Sequence, residues 1–181
     1  PKNHSRPGPY IHKISYQHMN QPPFRIGHGF DLHVFAKDRA LILGGTKIPS
    51  DLGLLGHSDA DCVIHALADA ILGAVALPDI GNWFPDDDPD CKDMDSSIIL
   101  ERAVEEAKKV GFQCSNIDIT IIAQKPRLSS YLPSMKEKIS TLVCIDPNLV
   151  GIKATTHEKI GSLGRAEGIA AHAVCLLTKS D

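Results

Sequence analysis

The chain has 181 residues, of which 43% are apolar and 23% are charged, a balance that suits one globular domain with its own hydrophobic core. Its formal net charge of -3 argues against a broad nucleic-acid interface, because phosphate backbones are bound through clustered Lys and Arg. Five widely spaced cysteines without a C-x-x-C pair indicate a reducing compartment, and no apolar run approaches the roughly 20 residues of a membrane-spanning helix. We therefore expect a soluble protein, with no membrane or nucleic-acid partner, that acts on a small molecule.

Residues 1–23 differ in composition from the rest of the chain. They contain five prolines and no acidic residue, and they lack a periodic apolar pattern, so we expect a disordered N-terminal extension. Three origins stay open for it: a tag, a remnant of an organelle transit peptide, or native sequence starting at Met19. A bacterial cytoplasm and a plastid stroma are accordingly both open as locations. Residues 24–181 are predicted to form a single domain.

From Phe24 onward, short strand patterns alternate with helical patterns. A strand over residues 25–33 runs into a loop, and a second strand over residues 41–43 precedes two glycines. The next pattern predicts a helix from Ser58 to about Leu77, with Asp61 three residues after Ser58, which is a capping-box spacing. Later patterns predict helices over residues 96–109 and 132–143 and strands over 117–123, 150–155 and 169–177. This alternation predicts one sheet covered by helices.

Asp31 and His33 lie two residues apart in the first strand pattern. Alternate residues of a strand point to the same face, so this carboxylate and this imidazole can share a cation. A D-x-H triplet often arises by chance, so a metal site needs a further ligand from elsewhere in the chain.

The first predicted helix offers that ligand. Asp61, His65 and Asp69 recur every four residues and share one helix face. A histidine facing the core is usually structural, but the two acids could accept its second ring N–H and orient it toward a metal. With Asp31 and His33, His65 would supply two nitrogens and one oxygen and leave a fourth tetrahedral position open, as in catalytic zinc sites.

Seven segments carry motifs that occur together in a fixed order, namely residues 25–33, 56–61 with His65, 77–81, 84–86, 118–124, 153–159 and 164–170. Together they resemble the 2-C-methyl-D-erythritol 2,4-cyclodiphosphate synthase family. The resemblance implies an α+β fold with a single four-stranded mixed β-sheet and α-helices packed on one face. It also implies a homotrimer whose three active sites lie between neighbouring subunits.

The resemblance implies the reaction as well. The protein would convert 4-diphosphocytidyl-2-C-methyl-D-erythritol 2-phosphate into 2-C-methyl-D-erythritol 2,4-cyclodiphosphate and CMP, in the non-mevalonate (MEP) pathway to isoprenoids. The 2-phosphate of the substrate attacks the β-phosphorus of its own diphosphate, so positioning and charge neutralisation would carry most of the rate. Asp31, His33 and His65 would hold one divalent metal, preferably zinc, and Glu158 would hold magnesium or manganese with the substrate diphosphate.

Further residues are assigned only by this resemblance. His57 and Thr156 match the residues that stabilise the transition state. Arg165 matches a polar position of a central cavity that binds isoprenoid diphosphates in some members. The other matched positions contact phosphate, ribose, erythritol or cytosine, and they are Ser58, Asp79, Gly81, Phe84, Asp86, Asp88, Ala123, Pro126, Arg127 and Thr155. One subunit would provide the metal ligands and most of the erythritol pocket, and the next would provide residues 123–129 and 155–158.

Two other functions stay open. A metal-dependent phosphohydrolase would release inorganic phosphate, and the lack of an H-E-x-x-H helix argues against one common type of zinc hydrolase. An inactive nucleotide-binding trimer would keep the fold without turnover. The complete set of matched ligands and stabilisers argues against that second alternative.

Overall fold

A computed structural model describes residues 22–85 and 89–180, so the extension predicted for residues 1–23 lies almost wholly outside the described residues. The strands are β1 (Phe24–Ala36), β2 (Leu41–Leu43), β3 (Thr46–Ile48), β4 (Gly53–Leu54), β5 (Phe112–Ile122), β6 (Val150–Thr155) and β7 (Gly168–Lys179). The α-helices are α1 (Cys62–Ala74), α2 (Ser96–Lys109), α3 (Leu132–Val143) and α4 (Gly161–Gly164). Short 3₁₀ helices cover Ile80–Asn82, Pro89–Cys91 and Pro147–Leu149.

The main sheet of the described residues has five strands in the order β4-β1-β7-β5-β6. The β5–β6 pair is parallel and the other pairs are antiparallel, so the expected mixed sheet and α+β class are confirmed. The expected number of four strands is wrong, because the two-residue β4 pairs with Phe35 and Ala36 at the end of β1. A segment this short carries no periodic signal, and only its partner makes it a strand.

Helix α1 lies directly on one face of β1, at two glycines. A Cβ atom added to Gly27 would lie 1.7 Å from the carbonyl oxygen of Ala70, and one added to Gly29 would lie 1.9 Å from that of Ala66. Both distances are far below van der Waals contact, so only glycine allows the helix and strand backbones to approach so closely. This contact brings the middle of α1 next to the following residues of β1.

The other face of β1 and β7 is exposed and strongly apolar. The side chains of Ile26, Phe30 and Val34 are 67%, 49% and 51% exposed, and Val174 of β7 is 41% exposed. Residues of the opposite alternation, such as Ala173, are buried under the helices. We call this exposed side of β1 and β7 the outward face.

The start of α1 differs from the capping box predicted at Ser58. Helix α1 begins at Cys62, and Asp61 is its N-cap, accepting hydrogen bonds from the N–H groups of Val63 and Ile64. The Asp61 carboxylate also accepts the backbone N–H groups of Gly44 and Gly45, at 2.9 and 2.6 Å. These glycines have φ angles of 55° and 68° and form the tight turn between β2 and β3, where positive φ favours glycine. Asp61 therefore ties the hairpin to the helix.

Several predicted elements match the structure. Helices α2 and α3 and strand β6 have the predicted bounds, whereas the helix predicted to reach Leu77 ends at Ala74. Strand β5 begins five residues before the prediction, at Phe112, and its pairing with β7 shifts between Cys114 and Asn116. This irregularity breaks the alternation that the sequence pattern requires. No helix in the described part of the chain is both long and apolar enough to cross a membrane.

Candidate metal centre and substrate site

Asp31, His33 and His65 converge where β1 meets α1. The Oδ2 atom of Asp31 lies 3.1 Å from His33 Nε2 and 3.1 Å from His65 Nδ1, and the two nitrogens are 3.2 Å apart. One ligand atom from each residue thus falls within a cluster that a single ion can bridge, with the three atoms all within 4.8 Å of one another. The three residues are positioned to bind a metal, as the sequence predicted.

The backbone orients His33 toward this cluster. Its Nδ1–H donates to the carbonyl oxygen of Leu55 at 2.7 Å. Because a carbonyl only accepts, the proton must sit on Nδ1, which leaves the Nε2 lone pair free for a cation. Leu55 directly follows β4, so β4, which the sequence did not predict, helps to fix the tautomer of a metal ligand.

His65 is oriented by serines and not by acids of its own helix. Its Nε2 lies 2.9 Å from Ser96 Oγ and 3.2 Å from Ser58 Oγ. Ser96 in turn donates its hydroxyl to the Asp59 carboxylate. The prediction that Asp61 and Asp69 orient His65 is therefore wrong. Asp61 caps α1, and Asp69 accepts the backbone N–H of Ile80 at 2.8 Å.

Ser96 is the clearest residue that sequence reasoning missed. It opens α2, where a serine has the ordinary appearance of a helix start. It lies 31 positions from His65, and no periodicity links the two residues. Asp59 is the acceptor of the Ser96 hydroxyl, and this pair forms only through the packing of α2 on α1.

The charges within the cluster support each other. Burial raises the pKa of Asp31, but hydrogen bonds and charge from His33 and His65 outweigh burial and hold that pKa well below its ordinary 3.8. Burial has the opposite effect on His33 and lowers its pKa, but the hydrogen bond and charge of Asp31 outweigh burial and raise that pKa above 6.5. The carboxylate is therefore ionised at neutral pH, ready to act as an anionic ligand.

A cavity opens directly over the three ligands and contains several of the predicted site residues. His57, Ser58, Gly81 and Phe84 line it together with the metal cluster. Its remaining walls are mostly apolar and come from Ile80, Cys91, Met94 and Ile99. Asp79 does not line this cavity; it precedes the 3₁₀ helix Ile80–Asn82 and accepts from the Asn82 side chain at 3.2 Å. Asp86 and Asp88 lie outside the described residues.

Four further predicted substrate residues, together with Thr156, line a second cavity. It is formed by the segment after β5 and the end of β6, with Ala123, Pro126, Arg127, Thr155 and Thr156 among its lining residues. No residue lines both cavities. The structure of one chain thus brings the predicted site residues together in two separate groups.

Besides Asp79, two predicted residues in the described part of the chain line neither cavity. Glu158 is exposed and follows β6 with a φ angle of 49°, and its carboxylate accepts the Thr156 hydroxyl at 2.8 Å. Arg165 follows α4, and its Nε donates to the Glu167 carboxylate at 2.6 Å. Glu158 is therefore next to the second cavity through Thr156, whereas Arg165 is held in an exposed ion pair.

Comparison with known proteins identifies the family. The model of the YgbB family matches residues 24–178. The chain belongs to the YgbB family. It is 52% identical over 156 residues to the 2-C-methyl-D-erythritol 2,4-cyclodiphosphate synthase of Bacillus cytotoxicus, covering 86% of this chain and 99% of that protein.

Solved structures agree with this family. The bifunctional IspDF of Campylobacter jejuni matches with a TM-score of 0.84 and 40% identity, covering 87% of this chain and 43% of that longer chain. The IspF of Plasmodium falciparum in complex with CDP matches with a TM-score of 0.78 and 34% identity, covering 90% of this chain and all (100%) of that one. The sequence motifs and the fold therefore lead to the same family.

Proposed function

We propose that this YgbB-family protein converts 4-diphosphocytidyl-2-C-methyl-D-erythritol 2-phosphate into 2-C-methyl-D-erythritol 2,4-cyclodiphosphate and CMP, in the MEP pathway. The observation that carries this proposal is the Asp31, His33 and His65 cluster at the base of the cavity that also holds His57 and Ser58. In the reaction, a 2-phosphate oxygen forms a bond to the β-phosphorus. The bond from that phosphorus to the bridging oxygen breaks, and CMP leaves with the bridging oxygen.

The donor set of the cluster fits zinc. Two imidazole nitrogens and one carboxylate oxygen are ligands that zinc accepts, and three protein ligands leave a position for substrate. When bound, the ion would polarise a phosphate oxygen and neutralise developing negative charge. Asp31 contributes the compensating negative charge, while Leu55 and Ser96 hold the two imidazoles in the tautomers that can bind the ion.

No protein nucleophile is required, because both reacting groups belong to the substrate. His57 and Ser58 line the cavity beside the metal cluster and are proposed to donate hydrogen bonds to the migrating phosphate. Thr156 is proposed to stabilise the same phosphate from the other side. The exposed carboxylate of Glu158 suits magnesium or manganese, since these hard cations take one or two carboxylates together with water and substrate phosphates.

The second cavity is proposed to bind the cytidine part of the substrate. The Plasmodium falciparum relative was solved as a CDP complex, which supports a cytidine nucleotide as ligand in this family. The segment after β5 would recognise cytosine largely through backbone groups, with Arg127 and Thr155 near the phosphates. Phe84, Asp86 and Asp88 are proposed to surround the erythritol part.

A homotrimer would join the two groups of site residues. The predicted site is divided between two cavities that share no lining residue, and a neighbouring copy could place its second cavity against the first. The outward face gives this assembly an apolar surface to bury, with Ile26, Phe30 and Val34 each about half exposed or more. Large apolar faces on strands are a common part of subunit interfaces.

The reaction is tested by phosphorus NMR and CMP release, with zinc and magnesium present. We expect cyclic diphosphate and CMP from the wild type, and loss of turnover in His65→Ala and Glu158→Gln. Glu105→Gln is the control, because Glu105 is also exposed but lies on α2. Release of inorganic phosphate would instead show a phosphohydrolase, and tight nucleotide binding without turnover would show an inactive binding protein.

The shared site is tested by mixing two inactive variants. When equal amounts of His65→Ala and Glu158→Gln chains assemble at random into trimers, about a quarter of the intersubunit sites would combine an intact His65 with an intact Glu158. We therefore expect co-expression to restore about that fraction of activity, with sedimentation measuring the oligomeric state. Activity that stays absent in mixed trimers would contradict a site built from two subunits.

A further inference from the structure

Two histidines lie together on the outward face, away from the metal cluster described above. His28 on β1 and His172 on β7 have their Nε2 and Nδ1 atoms 3.1 Å apart. The strand register pairs His28 with Val174 and Phe30 with His172, so the two imidazoles are diagonal neighbours on one side of the sheet. Asp31 and His33 have the opposite alternation along β1, so the two histidine groups lie on opposite faces of the sheet.

The distance between these two nitrogens suits metal chelation. It equals the 3.1 to 3.2 Å spacing among the three ligand atoms of the first cluster. Two nitrogens 3.1 Å apart can both lie at about 2.0–2.1 Å from one ion when the angle at the ion is about 100°. That angle is close to tetrahedral and to octahedral geometry, so the spacing of the two nitrogens already matches that of a shared ion.

The two rings are also held in place. Both histidines belong to the long central pair of strands, and the Phe30 ring lies 4.7 Å from the His172 ring, centroid to centroid. The His28 and His172 rings are 5.4 Å apart with an angle of 30° between their planes. Among the described residues, neither imidazole has another recorded hydrogen-bond partner. A single N–H···N bond satisfies one nitrogen of each ring and leaves the pair able to exchange that proton for a cation.

We propose that His28 and His172 form a second divalent-metal site, selective for borderline transition ions such as zinc, nickel or copper. Imidazole nitrogens suit these ions and do not suit magnesium or calcium, which prefer oxygen ligands. The site needs residues of one chain only. If the outward face is covered in the trimer proposed above, the open coordination positions can be taken by the same histidines of neighbouring copies.

The site is tested by equilibrium dialysis with zinc followed by metal analysis. We expect the double variant His28→Gln, His172→Gln to lose one class of bound zinc relative to the wild type, whether that class amounts to one ion per chain or one per trimer. His65→Ala should lose a different class, and the combined variant should lose both. His4, His12 and His18 could also bind zinc, so a chain with glutamine at these three positions is the control, and it should keep both classes.

A second measurement keeps the test valid if the double variant fails to fold. In the wild type, added zinc should shift the ring ¹⁵N signals of His28 and His172, and added magnesium should leave them in place. An unchanged zinc content in the folded double variant, or unshifted ring signals in the wild type, would show a hydrogen-bonded pair only and would overturn the proposal. These readouts do not depend on turnover, so they separate the second site from the proposed reaction.

Discussion

The hydroxyl of Ser96 links a metal ligand to a carboxylate, and its removal should weaken metal binding. Ser96 is 1% exposed; it accepts the Nε2–H of His65 at 2.9 Å and donates to Asp59. This chain of hydrogen bonds holds the proton on Nε2 and directs the Nδ1 lone pair at the metal position. In Ser96→Ala, His65 loses its shorter hydrogen bond and becomes freer to turn or to change tautomer.

The magnitude follows from what remains around His65. Loss of an outer hydrogen-bond partner of a metal ligand typically costs about 10-fold to 100-fold in metal affinity, or about 1.4–2.7 kcal/mol. Ser58 Oγ stays 3.2 Å from Nε2 and can accept the same proton. We therefore expect the lower end of the range for Ser96→Ala, about a tenfold rise in the metal Kd.

The assay is competition for zinc with a chelator of known affinity, with Ser140→Ala as matched control. Ser140 is likewise a buried helical serine, 3% exposed, but its hydroxyl donates to the Glu137 carbonyl in α3. Both variants should lose about 1 kcal/mol of unfolding free energy, and only Ser96→Ala should bind zinc more weakly. Equal zinc affinities in the two variants would refute the positioning role of Ser96.

Three further predictions concern packing, capping and pH. Gly29→Ala should lower the unfolding free energy, measured in urea, by about 3 kcal/mol or more, because its Cβ would meet a backbone oxygen at 1.9 Å. Gly73→Ala, on the open side of α1, should instead raise the unfolding free energy by up to about 1 kcal/mol. Asp61→Ala should lower the unfolding free energy by about 3 kcal/mol, because four buried or partly buried N–H groups lose their acceptor. Asp95→Ala, which removes an exposed cap of α2, should lower it by about 1 kcal/mol. Equal losses of melting temperature in the two variants would contradict this prediction. The pKa of His33 lies above 6.5, and a metal needs the neutral imidazole. Zinc affinity should therefore fall by about tenfold per pH unit as the pH drops below that pKa. A zinc affinity that is independent of pH between about 5.5 and 7.5 would disprove this prediction.

The same pKa shift has the opposite effect on the metal-free protein. Protonated His33 is favoured in the folded state, so its contribution to the unfolding free energy is fully present below pH 6.5 and is lost as the pH rises through the raised folded pKa. Removing the metal should therefore shift the pH of greatest stability toward acid. Thermal melts with and without a chelator would measure this shift directly.

Much of the site could be predicted from local sequence. Asp31 and His33 share a face because a strand alternates, and this depends only on two residues being two positions apart. Helices α2 and α3 have the predicted bounds because their apolar periodicity, prolines and flanking residues act within a few positions. The motifs that indicate the YgbB family are likewise local, and they lie within the matched residues 24–178.

Only the tertiary structure decided how distant residues act on one another. Three acids in or just before α1 look alike in sequence, yet their roles differ. Asp61 caps the helix and binds the hairpin turn, Asp69 accepts a loop N–H, and Asp59 accepts a hydrogen bond from the Ser96 hydroxyl. Each role depends on which donor another element brings within about 3 Å. Strand β4 forms only by pairing with β1, and His28 meets His172 only because β1 pairs with β7. Sequence determines which side chains share a face, and packing determines which groups those side chains meet, because hydrogen bonds and metal sites depend on distance in space.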